Sequence, residues 1–198
     1  MKNNTSFFII GLIFWTLSGN AQDLRLQEFN QQRLRLTEQS MYVLGAWGLG
    51  NLGLGLILQA NTDGSARQFH QMNLAWGAIN LGIAGLGWHA ARKARHKSWN
   101  WQQSWREEQK IQQILLLNTG LDVAYMATGF YLLERSENSL DNSNRWKGWG
   151  QSLILQGAFL FVFDLATFWL HAKHQRKLNQ WDVQLIGSNH GMGIQFQF

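Results

Sequence analysis

Four polar side chains interrupt long apolar stretches of the sequence, and each lies near the middle of its stretch. They are Asn51, Asn80, Asp122 and Asp164. A charged side chain at the centre of a bilayer costs about 2.5–3.5 kcal/mol on insertion scales, so an aspartate there suggests a function. No Lys or Arg lies within the four stretches to pair with the aspartates. We predict an intramembrane polar layer, the candidate binding site, whose hydrogen bonds join the helices. The alternatives are a proton or cation pathway through Asp122 and Asp164, or the binding of another ligand.

Histidines form the second candidate site. His171 and His174 are three residues apart, so on a helix they share a face with Asp164 and Thr167. In an antiparallel bundle His89 falls at the same end. A metal or haem site at His89, His171 and His174 is therefore a further alternative. Because no HExxH or comparable motif is present, the favoured interpretation includes no metal and no cofactor.

Motifs for catalysis or nucleic-acid binding are missing from the sequence. It has no GxSxG elbow, no phosphate-binding glycine loop and no dinucleotide fingerprint. With no Cys it has neither disulfides nor thiolate chemistry. The net charge of +5 accompanies no nucleic-acid-reading motif and is better explained by anionic lipid or by topology. We therefore predict a protein that is not an enzyme and does not bind nucleic acid.

The elements that must position these residues are long helices. Twenty Gly and no Pro favour helices without interruption, because Pro kinks a helix interior. Each apolar stretch is about as long as a hydrocarbon core at 1.5 Å per residue. A soluble bundle with a dry core is the alternative, but four such stretches leave little polar face for water. The predicted spans are residues 41–60, 70–91, 111–133 and 149–172.

Small and polar residues along one face of each stretch indicate how the helices associate. A WGxxNLG unit occurs twice, at Trp47–Gly53 and again at Trp76–Gly82. Helices in lipid associate through small-residue packing and interhelical hydrogen bonds, and these stripes supply both. The predicted fold is all-α, an antiparallel four-helix transmembrane bundle over residues 41–178.

Segments outside the bundle have their own patterns. Residues 1–21 combine Lys2, an apolar run and a small-residue cleavage site, which predicts a cleaved signal peptide; the alternative is an uncleaved anchor. We predict that residues 22–40 form a polar amphipathic helix before the first span. In residues 179–198, Trp181–Ile186 and Gly193–Phe198 partly alternate apolar and polar positions, which predicts a short C-terminal β-hairpin tail.

The charge distribution conflicts with the export signal. We call side B the membrane face that holds residues 22–40, the segment between the second and third spans, and the C-terminal tail; side A is the opposite face. Twelve Lys and Arg residues fall on side B and four on side A, which places side B in the cytoplasm. A cleaved signal peptide places the mature N-terminus outside. The sequence leaves orientation open, as it does inner versus outer membrane and oligomeric state.

Two segments resemble an uncharacterised bacterial family. They are Arg67–Asn73, which runs into the second WGxxNLG unit, and Gln151–Asp164. The resemblance implies a signal peptide followed by four apolar helices, and it implies no activity. We therefore predict a structural or partner-binding protein of the bacterial cell membrane, exported by its signal peptide. Its expected partners are the lipid bilayer and either another membrane protein or a second copy of the chain.

Overall fold

The protein is all-helical over the part of the chain that the structure describes. The computed structural model describes residues 4–185, with side chains from residue 24 to residue 178, and contains no strand in that range. The predicted all-α class is therefore confirmed. The helices are α1 (Asn4–Ala60), α2 (Gly64–Ala94), α3 (Trp101–Glu137) and α4 (Ser143–Leu185).

Short connections join these long helices. Residues 22–40 and 41–60 belong to one continuous helix, α1, because the sequence offers no proline to interrupt it. Between α1 and α2 the chain turns within residues 61–63, and Gly64 has a φ of 57°, a left-handed conformation that glycine adopts without steric cost. A capping box starts α3: Gln103 N donates to Asn100 Oδ1 at 2.8 Å, and Asn100 N donates to Gln103 Oε1 at 3.0 Å.

The predicted C-terminal hairpin is not found. Its first strand, Trp181–Ile186, is helical as far as Leu185, because α4 continues past the last apolar stretch. No Gly or Pro lies between Gly157 and Gly187 to end the helix. Adding residues to an existing helix is also easier than forming an isolated two-stranded hairpin, which is at best marginally stable. Residues 186–198, which include the second predicted strand, lie outside the described residues.

Consecutive helices pair closely, and glycines allow the closest approaches. α1 packs along α2 and α3 along α4, while α4 also packs against α2. A Cβ added to Gly77 on α2 would lie 2.7 Å from Gly48 O and 2.5 Å from Leu52 N on α1. Gly129 on α3 and Gly150 on α4 form the equivalent pair, where an added Cβ would lie 2.7 Å from the facing carbonyl oxygen. The two helical hairpins therefore share one packing device, a facing glycine pair.

Polar residues fill the interior of the bundle, and apolar residues cover its outside. Among the described side chains, seventeen polar or charged residues are buried, against nine hydrophobic ones, whereas twenty-three large hydrophobic residues are exposed. This distribution is the reverse of that in ordinary water-soluble proteins. Two helical segments are long and apolar enough to cross a membrane, Leu24–Ala60 of α1 and Ser143–Leu178 of α4.

Candidate functional site

The two WGxxNLG units face each other across the α1–α2 contact. Gly48 and Gly77, the second residues of the two units, make the close approach. The two tryptophans point to different neighbours: Trp47 stacks on Phe159 with ring centroids 3.9 Å apart, and Trp76 meets Tyr125 edge-on at 5.1 Å. Because the helices run antiparallel, the repeated units also bring Asn51 and Asn80 toward the same helix, α4.

Gln156 of α4 joins α1 and α2 through its side-chain amide. Its Oε1 accepts from Trp47 Nε1 at 2.8 Å and from Asn80 Nδ2 at 3.4 Å. Its Nε2 donates to Asn51 Oδ1 and to Asn73 Oδ1, both at 2.8 Å. Every donor and acceptor of this fully buried glutamine therefore has a partner. Ser152 adds a 2.8 Å bond to Asn73 Oδ1. We call these six residues the amide network.

Asp122 of α3 and Asp164 of α4 form a second polar contact, closer to side B. Both are buried, and their carboxyl groups lie close enough to interact with each other. A hydrogen bond between two carboxyl groups requires that one of them holds a proton. Asp122 Oδ2 has no hydrogen-bond partner among the described residues. Asp122 and Asp164 therefore link α3 to α4 at a level separate from the amide network.

A third polar group lies near the side-B end, where α3 begins and α4 nears its end. Glu108 Oε1 contacts His174 Nδ1 at 3.0 Å and His171 Nδ1 at 3.2 Å. All three side chains are at least 96% buried, since their exposed fractions are 0%, 4% and 1%. His174 also stacks on Phe29 of α1 at 4.1 Å between ring centroids. We call Glu108, His171 and His174 the acid–histidine cluster.

The acid–histidine cluster leaves several of its polar atoms without partners. Glu108 Oε2, His171 Nε2 and His174 Nε2 are buried and make no hydrogen bond within the described part of the chain. Burial alone would raise the pKa of the Glu108 carboxyl, but the hydrogen bonds and charges of His171 and His174 outweigh it and bring that pKa below its ordinary value. The cluster therefore favours an ionised Glu108.

Arg33 of α1 borders this cluster. Its guanidinium donates to Asn30 Oδ1 at 3.0 Å, lies 3.8 Å from Glu107 and sits 4.8 Å over the ring of Trp99. Burial lowers the pKa of Arg33, while the charges of Glu108 and Glu107 act in the opposite direction. The side-B end of the bundle therefore contains a buried cation as well as a buried anion.

The four residues predicted as one polar layer occupy two levels. Asn51 and Asn80 meet at Gln156, whereas Asp122 and Asp164 pair with each other. Gln156 and Asp164 are eight residues apart on α4, which is about 12 Å along the helix at 1.5 Å per residue. The predicted binding layer is thus divided into an amide part and a carboxyl part.

The alternative metal site does not assemble as predicted. His89 is exposed on α2 and makes no contact with the acid–histidine cluster, although His171 and His174 do come together. Among the described residues, no group of three or more His, Cys, Asp or Glu side chains is arranged to hold a metal ion. The two clustered histidines instead face a carboxyl group.

Sequence reasoning missed the central residue of each group, Gln156 and Glu108. A heptad count gives the signal for Glu108: counting back from Asp122 in sevens leads to Leu115 and then Glu108, all of them buried. Gln156 lies two turns before Asp164 on the same face of α4. Glu108 was overlooked because it lies before the predicted span 111–133, and Gln156 was not among the residues assigned to the polar stripe of the fourth span.

Comparison with known proteins gives a family but no activity. Neither a curated protein nor a solved structure matches the chain. The sequence model of the family of unknown function DUF6992 matches residues 43–165, a range that includes both WGxxNLG units, Glu108, Gln156 and the aspartate pair. Because this range covers more than half of the sequence, the chain belongs to that family.

Proposed function

We propose that the chain is an integral membrane protein whose four helices all cross the bilayer, and that it has a structural or partner-binding role in the cell envelope. The observation that carries the proposal is the reversed distribution of side chains, with a polar interior and an apolar outer surface. In water this arrangement would expose apolar surface and bury amides and acids. In lipid it is stable, because acyl chains solvate the outside while hydrogen bonds join the helices inside.

The aromatic residues of α4 support a transmembrane position. Trp149 lies under the guanidinium of Arg145 at 4.1 Å, and Trp169 lies under the ammonium of Lys173 at 5.4 Å. Twenty residues separate these tryptophans, which is about 30 Å along a helix and matches the thickness of a hydrocarbon core. Tryptophan beside a cation is typical of the headgroup level at either face of a bilayer.

The outward faces of α2 and α3 support their inclusion as spans. Asn73, Asn80 and Asp122 make these helices less apolar on average, but the structure buries all three side chains. Many of the side chains that face outward from the middle of both helices are large and apolar. They include Ile79, Ile83, Leu86, Leu117, Val123 and Phe130.

Glycines on the outside of the bundle support the partner-binding role. Gly50 and Gly53 of α1, and Gly82 and Gly85 of α2, would each accept a Cβ without meeting any atom within 4 Å. Small residues on a lipid-facing surface allow another helix to approach closely. The partner that fits this surface is a transmembrane helix, from a second copy of the chain or from another membrane protein.

Extraction from membranes tests the central claim. We expect the protein to stay with the membrane pellet after a carbonate wash and to require detergent for release. A well-folded form in detergent-free periplasmic extract, or release by carbonate, would overturn the proposal. Mass spectrometry of the mature N-terminus tests whether residues 1–21 are a signal peptide, and reporter fusions at Lys97 and Glu137 test the orientation.

A proton pathway is the second candidate, and a row of buried polar groups on α4 favours it. Asp164, Thr167, His171 and His174 follow one face of the helix, and all four are buried. Asp122 and Glu108 of α3 lie against this row. Buried polar side chains that can donate or accept hydrogen bonds therefore extend from the side-B end to the middle of the bundle, where the amide network begins.

Proton flux into proteoliposomes tests this second candidate. A double variant, Asp122→Asn with Asp164→Asn, removes both carboxyl groups while keeping their shape. If the pathway exists, the variant loses flux that the wild-type protein shows. The matched control replaces two exposed acids, Asp63→Asn with Asp141→Asn, and should retain the flux. Equal flux in the wild type and the aspartate-pair variant would eliminate the pathway.

A further inference from the structure

A groove with basic walls lies between α1 and α4 at the side-B end of the bundle. Its volume is about 310 Å³. Arg35 of α1 and Lys173 and Lys177 of α4 line it, and none of the described residues that line it is acidic. The groove therefore presents three formal positive charges to whatever enters it.

These three cations are not neutralised within the described part of the protein. Arg35, Lys173 and Lys177 are all exposed, and none of them forms an ion pair there. Lys177 Nζ donates to Gln32 Oε1 at 2.8 Å across the groove, which is a bond to a neutral group. The positive charge is thus available to an external anion.

Apolar side chains complete the groove on the side that faces the middle of the bundle. Leu36 of α1 and Leu170 of α4 are among its lining residues. Leu170 is 41% exposed, and Trp169 beside it is 61% exposed, with Lys173 over its ring. The groove thus lies where the apolar surface of α4 ends and its basic segment begins, so it combines a polar end with an apolar end.

We propose that this groove binds an anionic phospholipid, with the headgroup phosphate between Arg35, Lys173 and Lys177 and an acyl chain along Leu36 and Leu170. The inference rests on the proposed membrane location. Phosphate oxygens are strong acceptors for guanidinium and ammonium donors, and basic pockets between membrane helices suit anionic headgroups. The two leucines favour a lipid over free phosphate, because an inorganic ion has no group to place against them.

His174 adds a further polar group at the groove. It is one of the lining residues and is only 4% exposed. Its Nδ1 contacts Glu108, while its Nε2 has no hydrogen-bond partner among the described residues. Because that nitrogen is buried, His174 forms part of the wall of the groove and not of its open surface. The groove is therefore linked to the acid–histidine cluster by a shared residue.

Lipid retention by the purified full-length chain tests the proposal. Protein incorporated into phosphatidylcholine nanodiscs is titrated with phosphatidylglycerol, and the lipids that stay bound are counted by native mass spectrometry. We expect preferential retention of phosphatidylglycerol. A triple variant, Arg35→Gln, Lys173→Gln and Lys177→Gln, should bind it about a hundredfold less tightly, since each of the three cations near the surface contributes about a fivefold change.

A second triple variant, which loses the same charge elsewhere on side B, distinguishes a specific lipid site in the groove from general electrostatic attraction of anionic lipid. Lys93→Gln, Arg106→Gln and Lys110→Gln remove three exposed cations that do not line the groove, and this variant should retain the lipid as the wild type does. Equal losses in the two triple variants would overturn the proposal in favour of diffuse charge. No preference for phosphatidylglycerol in the wild type would overturn it directly.

A third experiment tests whether the groove binds a phospholipid or free inorganic phosphate. Inorganic phosphate is added to detergent-solubilised protein, and thermal stabilisation is compared with that produced by phosphatidylglycerol. We expect stabilisation by the lipid alone; equal stabilisation by inorganic phosphate would overturn the lipid assignment. Incorporation into phosphatidylcholine nanodiscs serves as the separate readout of the membrane proposal. If the protein enters these nanodiscs but shows no preference for phosphatidylglycerol, this result contradicts the proposed lipid site and leaves the membrane proposal intact.

Discussion

The amide network around Gln156 and the acid–histidine cluster around Glu108 are both buried at helix contacts, but they differ in how their polar atoms are satisfied. All four hydrogen-bonding positions of Gln156 are occupied, by partners on α1 and α2. In the acid–histidine cluster, by contrast, each residue has one buried polar atom with no partner among the described residues. The first region uses neutral groups, and the second uses groups that change charge.

Because of this difference, we expect the two regions of the bundle to have different roles. A fully bonded neutral network fixes the rotation of the helices and is insensitive to pH, because amides and hydroxyls do not titrate. The acid–histidine cluster responds to pH, because Glu108 stabilises the fold in its ionised form and loses that contribution when it binds a proton. We therefore expect the side-A half to determine how firmly the helices pack, and the side-B half to determine how the protein responds to its surroundings.

The largest expected loss of stability comes from substituting the glycine pair that brings α1 and α2 together beside the amide network. Gly77→Ala places a Cβ 2.5 Å from Leu52 N and 2.7 Å from Gly48 O, so the helix backbones must separate. We expect the free energy of unfolding in detergent to fall by about 3 kcal/mol, the upper range for overpacking. Thermal or chemical unfolding monitored by circular dichroism measures this.

Gly82→Ala is the matched control for that substitution. Its added Cβ meets no atom within 4 Å, and it lies on the same helix within the same repeated unit. Alanine favours a helix by about 1 kcal/mol over glycine, so this variant should be as stable as the wild type or slightly more stable. A loss of stability equal to that of Gly77→Ala would contradict the close-packing account.

An intermediate effect is expected from removing the centre of the amide network. Gln156→Leu leaves Asn51, Asn73, Asn80 and Trp47 without their shared partner. With interhelical hydrogen bonds in membranes worth about 0.6 kcal/mol each, we expect unfolding to become easier by about 2 kcal/mol. Gln151→Leu, an exposed position on the same helix, is the control and should have little effect. Unchanged stability in Gln156→Leu would show that the network does not join the helices.

The smallest effect is a change in pH dependence from the acid–histidine cluster. Because the pKa of Glu108 in the folded protein is below its ordinary value of 4.5, its ionised form stabilises the fold. That contribution is fully present above the ordinary value and is lost as the pH falls through the lower folded-state pKa. Between pH 6 and the acid range, the wild type should therefore lose more stability than Glu108→Gln does, as melting temperatures measured across pH would show.

Two control variants test whether the pH dependence comes from the acid–histidine cluster and not from the amide network. Gln156→Leu should lower stability by a similar amount at every pH, because no amide titrates. Glu134→Gln, at an exposed position on α3, should keep the pH dependence of the wild type. The assignment of Glu108 fails if its variant and the wild type lose stability in parallel as the pH falls.

The sequence by itself determined the helices and the kind of contact between them. Long apolar stretches without proline favour uninterrupted helices, because Pro would kink a helix interior, and for this reason the all-α class was predictable. The WGxxNLG repeat also indicated the helix face on which Gly48 and Gly77 meet. The short alternation of apolar and polar residues near the C-terminus predicted a β-hairpin wrongly, since its first strand belongs to helix α4 as far as Leu185.

Only the tertiary structure decided which polar groups meet. Residue spacing shows which side chains share a face of one helix, but it gives neither the rotation nor the height of that helix against its neighbours. Gln156 bonds to Asn51 across 105 positions of sequence, and Glu108 meets His174 across 66. The close contacts at facing glycines set the rotation and height of each helix against its neighbours. As a result, Asp122 pairs with Asp164, whereas Asn51 and Asn80 bond to Gln156 at another level.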